Sequence, residues 1–355
     1  MIRRRISAYY HLARALGCNY LDRVTRPSEA HFIPTWDCNM RCRTCAVWRR
    51  DPSAQLDTSG MIEVIRRLPF LDIVKIIGGE PFSRDDLTEL VMAIQAYIKP
   101  YLLQIITNGV LTDKILHLAE TAGDRSLHLR VSLDGFRARH EESRGRGEVF
   151  DDVVNTLREL VRLRSRKGFV LGINFNITDT SIDELERMIA FGRELGVDVV
   201  PGIPVTPFLT HVDLDAEEKR VIMLEDRERV RAILARLDFG SKRGLRLVER
   251  LFLRTSNRDI FANLLSERPV TKFPCLELRN LMYLFPNGDI VTCGLNHTPV
   301  GNLARQEFDD IWFGAEIEQR RAEVDACSGC LQAAVEIFSR LYGGALRPGW
   351  RHRSS

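Results

Sequence analysis

The first two thirds of the chain alternate between short β-branched runs and segments with the period of an amphipathic helix. The runs predict strands at 31–36, 72–77, 102–107, 127–133, 170–176 and 197–203. The segments between them predict helices at 57–68, 85–98, 112–122, 148–166 and 181–195. Because each strand feeds a crossover helix, the six strands should be parallel. Six such units are too few for a closed eight-stranded barrel, so we predict an open, curved (β/α)6 barrel of the α/β class.

Polar and glycine-rich residues follow the predicted strands. In parallel sheets and barrels, ligands bind at the carboxyl ends of the strands, where these loops converge. The residues at these ends are Cys38, Cys42 and Cys45 after strand one, Gly78, Gly79, Glu80 and Pro81 after strand two, Asn108 after strand three, Ser132 and Asp134 at strand four, Asn174 in strand five, and Ile203 at strand six. We therefore predict one functional site at this edge.

Three cysteines lie within eight residues after the first predicted strand, in the stretch WDCNMRCRTC. A tetrahedral metal such as zinc needs four ligands, so zinc would require water or another side chain here. His31 is the nearest imidazole in the sequence, but it lies at the other end of the predicted strand. Zinc with three thiolates and water remains an alternative.

The spacing Cys38-x3-Cys42-x2-Cys45, followed by Gly78-Gly79-Glu80-Pro81, resembles the radical S-adenosylmethionine (radical SAM) enzymes over about residues 31 to 205. The resemblance implies a partial TIM barrel and a [4Fe-4S] cluster held by three thiolates. It also implies that S-adenosylmethionine chelates the fourth iron. An electron from the reduced cluster would cleave this cofactor to a 5′-deoxyadenosyl radical, which abstracts hydrogen from the substrate.

The resemblance also implies roles for the residues at the strand ends. Gly78, Gly79 and Glu80, followed by Pro81, should hold the amino end of the methionine moiety, since glycine lets the backbone approach closely. Contacts to the carboxylate or ribose fall at Ser132 and Asn174, and Ile203 should flank the adenine. Asn108 and Asp134 face the same mouth, although Asn108-Gly109 and Asp134-Gly135 could equally be ordinary turn pairs. No catalytic residue is identified.

A second cysteine group comprises Cys275, Cys293, Cys327 and Cys330. A β-hairpin is predicted around Pro286-Asn287-Gly288-Asp289 and would bring Cys275 and Cys293 near its base. This arrangement looks like the auxiliary region of the SPASM and twitch branches, and four cysteines fit the single-cluster twitch form. Four-thiolate zinc is the alternative, and disulfides are not expected in a reducing cytosol. A second, closed [4Fe-4S] cluster could accept an electron, which indicates a net oxidation or bond formation.

Charge and composition add limited information. The net charge of +3 gives no argument for a nucleic-acid partner. The first 26 residues are rich in arginine and amphipathic, which suggests a basic helix on the domain, a peripheral membrane contact or a transit peptide. We expect a cytoplasmic protein. The predicted regions are 1–30 (basic extension), 31–212 (barrel), 213–270 (charged helical connector), 271–335 (auxiliary region) and 336–355 (C-terminal helix and basic tail).

Three functional hypotheses follow. The first is a radical SAM enzyme that oxidises or cross-links a small molecule or a peptide, the peptide being presented by a separate adaptor. The second is a radical SAM enzyme that acts on a lipid or prenyl substrate at a membrane surface. The third is a non-catalytic zinc-binding adaptor. Either enzyme would need a reducing electron donor such as flavodoxin or ferredoxin.

Overall fold

The computed structural model describes residues 2–42, 44–202, 226–236, 265 and 275–327. These residues contain a nine-stranded sheet in the order β6-β5-β4-β3-β2-β1-β7-β8-β9. The strands are β1 (Glu29–Phe32), β2 (Ile73–Ile76), β3 (Leu102–Thr107), β4 (Leu127–Ser132), β5 (Val170–Asn176), β6 (Asp198–Gly202), β7 (Leu281–Leu284), β8 (Asp289–Val291) and β9 (Pro299–Asn302). Neighbours from β1 to β6 pair in parallel, which confirms the predicted α/β fold and its six strands.

Helices lie between successive parallel strands, as predicted, and further described helices precede β1 or follow β6. They are α1 (Ile2–Tyr20), α2 (Thr58–Arg67), α3 (Leu87–Ala93), α4 (Thr112–Ala122), α5 (Arg137–Arg144), α6 (Phe150–Lys167), α7 (Leu185–Leu195), α8 (Arg227–Arg236), α9 (Phe308–Trp312) and α10 (Ala315–Ala326). Helix α3 continues as a π-helical turn over Ile94–Ile98, so this segment ends where the sequence predicts. Helix α5 was not predicted, because charged side chains dominate it and it has no apolar stripe.

Local sequence explains where the helices begin and which face they bury. The carboxylate of Asp57 caps α2 by accepting a hydrogen bond from the Gly60 amide at 2.8 Å. The buried residues of this helix, Met61, Val64 and Ile65, recur at helical spacing and join the main core. The same core takes alternate residues of the strands, such as Leu129 and Val131 of β4. The helices therefore cover one face of the sheet.

The opposite face of the parallel sheet, here called the lumen face, carries many of the polar side chains of the strands. Because side chains alternate along a strand, this face carries the residues between the core positions. It includes Glu29, His31, Lys75, Gln104, His128, Arg130, Asn174 and Asp198. Glu29 and His31 are buried there, and Glu29 Oε1 lies 3.0 Å from both His31 Nε2 and Lys75 Nζ. His31 is thus bonded inside the barrel and is not a fourth ligand for the first cysteine loop.

The predicted C-terminal hairpin is confirmed, and it extends the barrel sheet. Strands β7 and β8 are antiparallel, with Tyr283 opposite Val291. On its other side β7 pairs in parallel with β1, with Leu281 opposite Glu29, and no local pattern in the sequence predicts this pairing. The predicted auxiliary region, 271–335, thus shares one sheet with the predicted barrel, 31–212. Strand β9 adds to the outer edge.

The basic N-terminal segment forms helix α1, whose C-terminal half packs on the domain. Ala15 is buried in a small core with Ile33 and Trp36, and the Asn19 side chain donates to Asn280 Oδ1 at 2.9 Å. Within the described ranges, no helix combines the length and apolar character needed to cross a membrane. Most of the predicted connector 213–270 and the predicted tail 336–355 lie outside the described residues.

Candidate functional site

The first cysteine loop follows β1 at the carboxyl edge of the sheet. Cys38, Cys42 and Cys45 are all partly buried, and no disulfide links the described cysteines. Burial raises the pKa of Cys38 to about 12 and that of Cys45 to about 11. These thiols therefore hold their protons at neutral pH until a metal displaces them.

The glycine loop after β2 lies against the start of the cysteine loop. The Gly79 amide donates to Thr35 O at 3.0 Å, and the Glu80 amide donates to Asp37 O at 2.8 Å. A Cβ on Gly79 would collide with the carbonyl oxygen of Asp37. Gly78 has φ +126°, which L side chains rarely adopt, and it too lies against the Thr35 backbone. The glycines are required here for contact between the two loops.

Glu80 ties this loop to the end of β3. Its carboxylate accepts from the Asn108 amide at 2.7 Å, the Thr107 hydroxyl at 2.8 Å and the Phe82 amide at 3.1 Å. Burial raises the pKa of Glu80 to about 7 against these three donors, which lower it. Both carboxylate oxygens are occupied by protein groups, so the backbone of residues 78–80 is the part that can face a ligand. Pro81 follows and begins a short 3-10 turn.

Asn108 reaches back to the cysteine loop. Its amide group donates to Asn39 Oδ1 at 2.6 Å, and its own Oδ1 accepts from the Val110 amide at 3.2 Å. The second of these bonds is the turn interaction expected of an Asn-Gly pair. Sequence reasoning did not identify Asn39 as a site residue. Its position directly after Cys38, inside the cysteine motif, is the signal that could have done so.

Asp134 lies at the end of β4 and is bound on all sides by protein groups. Its carboxylate accepts from the Asn176 amide and the Ser143 hydroxyl, each at 3.0 Å, and pairs with Arg144 Nη2 at 2.7 Å. Arg144 also approaches Cys42 Sγ, with Nη1 at 3.7 Å. Burial alone would lower the pKa of Arg144, but the charges of Asp134 and Cys42 raise it above its ordinary value. Asp134 thus orients a cation toward the cysteine loop, and sequence reasoning missed Arg144 because no motif marks it.

Ser132 and Asn174 are direct neighbours across β4 and β5. Both lie at the carboxyl edge, and Asn174 stands on the lumen face. Eight of the nine predicted strand-end residues outside the cysteine loop thus lie in the described part of the chain, at the same edge of the sheet as the three cysteines. Ile203, predicted to flank an adenine, lies outside the described residues.

The second cysteine group is partly described. Cys293 follows β8, and its Sγ accepts from the Asn296 amide at 3.1 Å and the Leu295 amide at 3.4 Å. Burial raises the pKa of Tyr283 well above its ordinary value, and the nearby charges of Glu277, Cys293 and Cys275 raise it further. Cys275 lies six residues before β7, and Cys293 lies two residues after β8. Cys327 follows α10 and is exposed, and Cys330 lies outside the described residues.

An aromatic layer connects the loops that carry the two cysteine groups. The Trp36 and Phe285 rings meet edge to face at 4.8 Å, and Phe285 meets His297 in the same way at 4.9 Å. Arg50 lies 3.9 Å from the centroid of Trp36 and donates to His297 Nδ1 at 2.7 Å. Trp36 is two residues before Cys38, and His297 is four residues after Cys293. The layer fixes the two loops against each other.

The three thiols of the first cysteine loop are a donor set that suits an iron–sulfur cluster. Among the described residues, no three His, Cys, Asp or Glu side chains are close enough to hold one metal ion. A [4Fe-4S] cluster places each thiolate on a different iron, so its cysteines are spread more widely. Amide donors to Cys293 Sγ are also typical of cluster ligands, whose potential such bonds adjust.

Two family models match the chain. The model described as the Radical SAM superfamily matches residues 32–214, just over half of the chain. The SPASM model, described as an iron-sulfur cluster-binding domain, matches residues 275–331, which include all four cysteines of the second group.

Curated relatives are distant. The pre-heme d1 synthase of Dinoroseobacter shibae is 24% identical over 51% of this chain and 46% of its own length. The GTP 3′,8-cyclase of Synechocystis is 33% identical over 39% and 42%. This chain thus spans less than half the length of either relative. The AdoMet-dependent heme synthase of Methanosarcina barkeri is 24% identical over 83% of this chain and 84% of the relative.

Solved structures share the fold. One is anSMEcpe with bound AdoMet and a Cp18Cys peptide, which matches with a TM-score of 0.59, 12% identity and coverage of 90% of this chain and 97% of that chain. Another is Streptococcus suis SuiB bound to the precursor peptide SuiA, with a TM-score of 0.57, 18% identity and coverage of 83% and 66%. At these identities the likeness concerns the fold alone.

Proposed function

Because this chain belongs to the radical SAM superfamily, we propose that it uses Cys38, Cys42 and Cys45 for a SAM-binding cluster and carries out a net oxidation or bond formation with the help of one auxiliary cluster. The chain is a radical SAM enzyme with a SPASM region, and its cofactors are S-adenosylmethionine and iron–sulfur clusters. When bound, the reduced cluster and S-adenosylmethionine together supply the radical that removes hydrogen from the substrate.

The observation that carries the proposal is the contact between the cysteine loop and the glycine loop. Backbone hydrogen bonds from Gly79 and Glu80 to residues 35 and 37 hold the two motifs side by side. Three thiolates would leave one iron of a cluster without a protein ligand, and the backbone of residues 78–80 lies against the start of the cysteine loop. We infer that this backbone receives the amino group of the methionine moiety, with Pro81 fixing the turn.

Other residues at the edge receive separate roles in the proposal. Ser132 and Asn174 bind the carboxylate or ribose of the cofactor, and Ile203 flanks its adenine. Asp134 and Asn108 are positioning residues, since their polar atoms bond to Arg144 and Asn39 of the protein. This assignment changes the earlier expectation that they could meet cofactor or substrate directly.

The auxiliary cluster is proposed to bind Cys275, Cys293, Cys327 and Cys330. Four thiolates would complete its iron ligands, which leaves electron transfer or support of the fold as its function. Abstraction of hydrogen leaves a substrate radical that must lose or gain one electron. The aromatic layer of Trp36, Phe285 and His297 with Arg50 connects the loops of both groups, which supports transfer between them and hence an oxidation.

The substrate is proposed to be a small molecule or a peptide. The names of the relatives point to nucleotide and haem-type substrates, and SuiB was solved with a precursor peptide. The proposed electron donor is a flavodoxin or a ferredoxin. We propose no contact with nucleic acid.

A peripheral membrane contact is the second candidate. Helix α1 packs through Ala15, yet Tyr10, Tyr20 and Leu21 near it are more than half exposed. Aromatic side chains beside arginines suit a membrane interface. Sedimentation with anionic vesicles, comparing the whole chain with a chain lacking residues 1–26, tests this candidate. Equal binding by the two chains would rule it out.

Anaerobic reconstitution tests the main proposal. Two clusters predict about eight irons per chain and little zinc. Reduced protein should release 5′-deoxyadenosine from S-adenosylmethionine. A zinc-loaded protein without iron would support the non-catalytic adaptor instead, and an iron-loaded, reduced protein that leaves S-adenosylmethionine intact would refute the proposed reaction.

A further inference from the structure

Arg130 is a charged residue in the middle of the barrel that the proposed cofactor site does not use. It belongs to β4, between the core residues Leu129 and Val131, so its side chain stands on the lumen face. Its direct neighbour on the adjacent strand, β5, is Gly172. A Cβ on Gly172 would collide with Arg130 Nη1, so the glycine provides the space in which the guanidinium lies.

The guanidinium of Arg130 is not fully satisfied by the protein groups that the structure describes. In the part of the chain that the structure describes, its Nε is buried without a hydrogen-bond partner, and Arg130 takes part in no ion pair. Burial lowers the pKa of Arg130, and the charge of Asp198, acting through space, offsets this only in part. A buried charge is costly unless it is paired and hydrogen-bonded, and the described protein groups do not supply that pairing for Arg130.

The basic side chains of Lys75 and His128, also on the lumen face, are either paired or neutral. Lys75 pairs with Glu29 at 3.0 Å. Burial, together with the charge of Arg130, lowers the pKa of His128 to about 4, so its imidazole is neutral at pH 7. The positive charge that the described lumen face offers to a ligand is therefore that of Arg130.

The position of Arg130 suits a substrate rather than the cofactor. Arg130 lies two residues before Ser132 on the same face. It is therefore about 6.6 Å deeper in the barrel than Ser132. Its cross-strand partner, Gly172, is likewise two residues before Asn174. Arg130 thus forms the layer directly beneath the residues assigned to S-adenosylmethionine, and it remains partly exposed to solvent.

We propose that Arg130 binds an anionic group of the substrate, a carboxylate or a phosphate, inside the barrel. The inference rests on the proposed function and adds the chemical class of the substrate to it. A planar guanidinium pairs with either group through two parallel hydrogen bonds, and Lys does not reproduce this geometry. The substrate would then lie between Arg130 and the cofactor at the strand ends.

The test uses cluster-loaded protein with sodium acetate and sodium phosphate as probes, against sodium chloride at equal ionic strength. We expect at least one probe to raise the unfolding temperature of the wild type in a saturable way. Arg130→Met should weaken the apparent affinity at least tenfold, and Arg130→Lys should give an intermediate loss. Arg162→Met, at an exposed site on α6, is the matched control and should behave like the wild type.

The two probes separate the two chemical sources. A response to acetate alone assigns a carboxylate, and a response to phosphate alone assigns a phosphate. If neither probe stabilises the wild type, or if Arg130→Met responds as the wild type does, the inference is wrong. Should Arg130→Met not fold, Arg130→Gln replaces it, since its amide keeps a polar atom at the position of Nε and removes the charge.

Cleavage of S-adenosylmethionine is measured on the same wild-type samples, so that failure of this inference can be distinguished from failure of the proposed function. Wild-type protein that releases 5′-deoxyadenosine but does not respond to either anion refutes the inference alone. Wild-type protein that responds to an anion but never cleaves S-adenosylmethionine refutes the proposed function.

Discussion

Replacing Asp134 by alanine should destabilise the protein strongly, because it would leave Arg144 as an unpaired buried charge. Asp134 is 2% exposed and Arg144 is 7% exposed, and their charged atoms lie 2.7 Å apart. Removal of one partner of a buried pair typically costs about 3–5 kcal/mol. The Asn176 amide would also lose its acceptor. We expect a loss of about 4 kcal/mol, a large part of the roughly 5–15 kcal/mol that holds a domain folded.

Chemical denaturation under anaerobic conditions measures this loss, with tryptophan fluorescence as the signal. Asp151→Ala is the matched control, since Asp151 also pairs with an arginine, Arg137, but both side chains are more than half exposed. Exposed pairs contribute little. The denaturation midpoint of Asp134→Ala should therefore fall far more than that of Asp151→Ala.

A double variant isolates the cause. If the unpaired guanidinium is responsible, adding Arg144→Met to Asp134→Ala should recover part of the lost stability. The reasoning would be refuted if the two buried substitutions were simply additive, or if Asp134→Ala and Asp151→Ala shifted the midpoint equally.

Three further predictions concern single positions. Gly79→Ala should abolish release of 5′-deoxyadenosine, because the added Cβ collides with the Asp37 carbonyl and separates the two loops; Gly147→Ala, which meets nothing within 4 Å, should retain the activity. Burial, with Arg144 nearby, lowers the pKa of His140 to about 3. The contribution of the neutral His140 to the free energy of unfolding should therefore be complete above pH 6.5 and decrease as the pH falls below it. His140→Gln should make the free energy of unfolding less pH-dependent between pH 6 and 4, by about 1.4 kcal/mol per pH unit. Cys42→Ala should lose cleavage of S-adenosylmethionine, whereas Cys327→Ala should lose about four irons per chain and keep the signal of the first cluster.

The regular part of the fold could be predicted from sequence because each element has a local pattern. Strands β3, β4 and β5 fall within one residue of their predicted ends, since alternation and turn residues mark both limits. The pairing of β7 with β1 joins residues about 250 positions apart, and neither strand carries a signal for the other. Helix α5 was missed because its sequence has no apolar period.

In the candidate site, too, local motifs could be predicted from the sequence and long-range contacts could not. The cysteines and the Gly78-Gly79 pair form motifs whose spacing is visible in sequence. The partners of Asp134 and Glu80 are not visible, because Arg144 at the end of α5 and Asn108 after β3 meet these carboxylates only in the folded chain. Sequence reasoning therefore found the atoms expected to meet metal and cofactor, and it missed the contacts that hold them in place.

The pairing of β7 with β1 has a consequence for how the chain can be divided. The amides of Ser28, Glu29 and Ile33 donate to carbonyl oxygens of residues 280 and 284, so the hairpin covers the outer edge of the barrel. A chain truncated before residue 275 would expose β1 as a bare edge strand, and such strands recruit other chains. Truncation should therefore yield aggregates rather than a soluble one-cluster barrel.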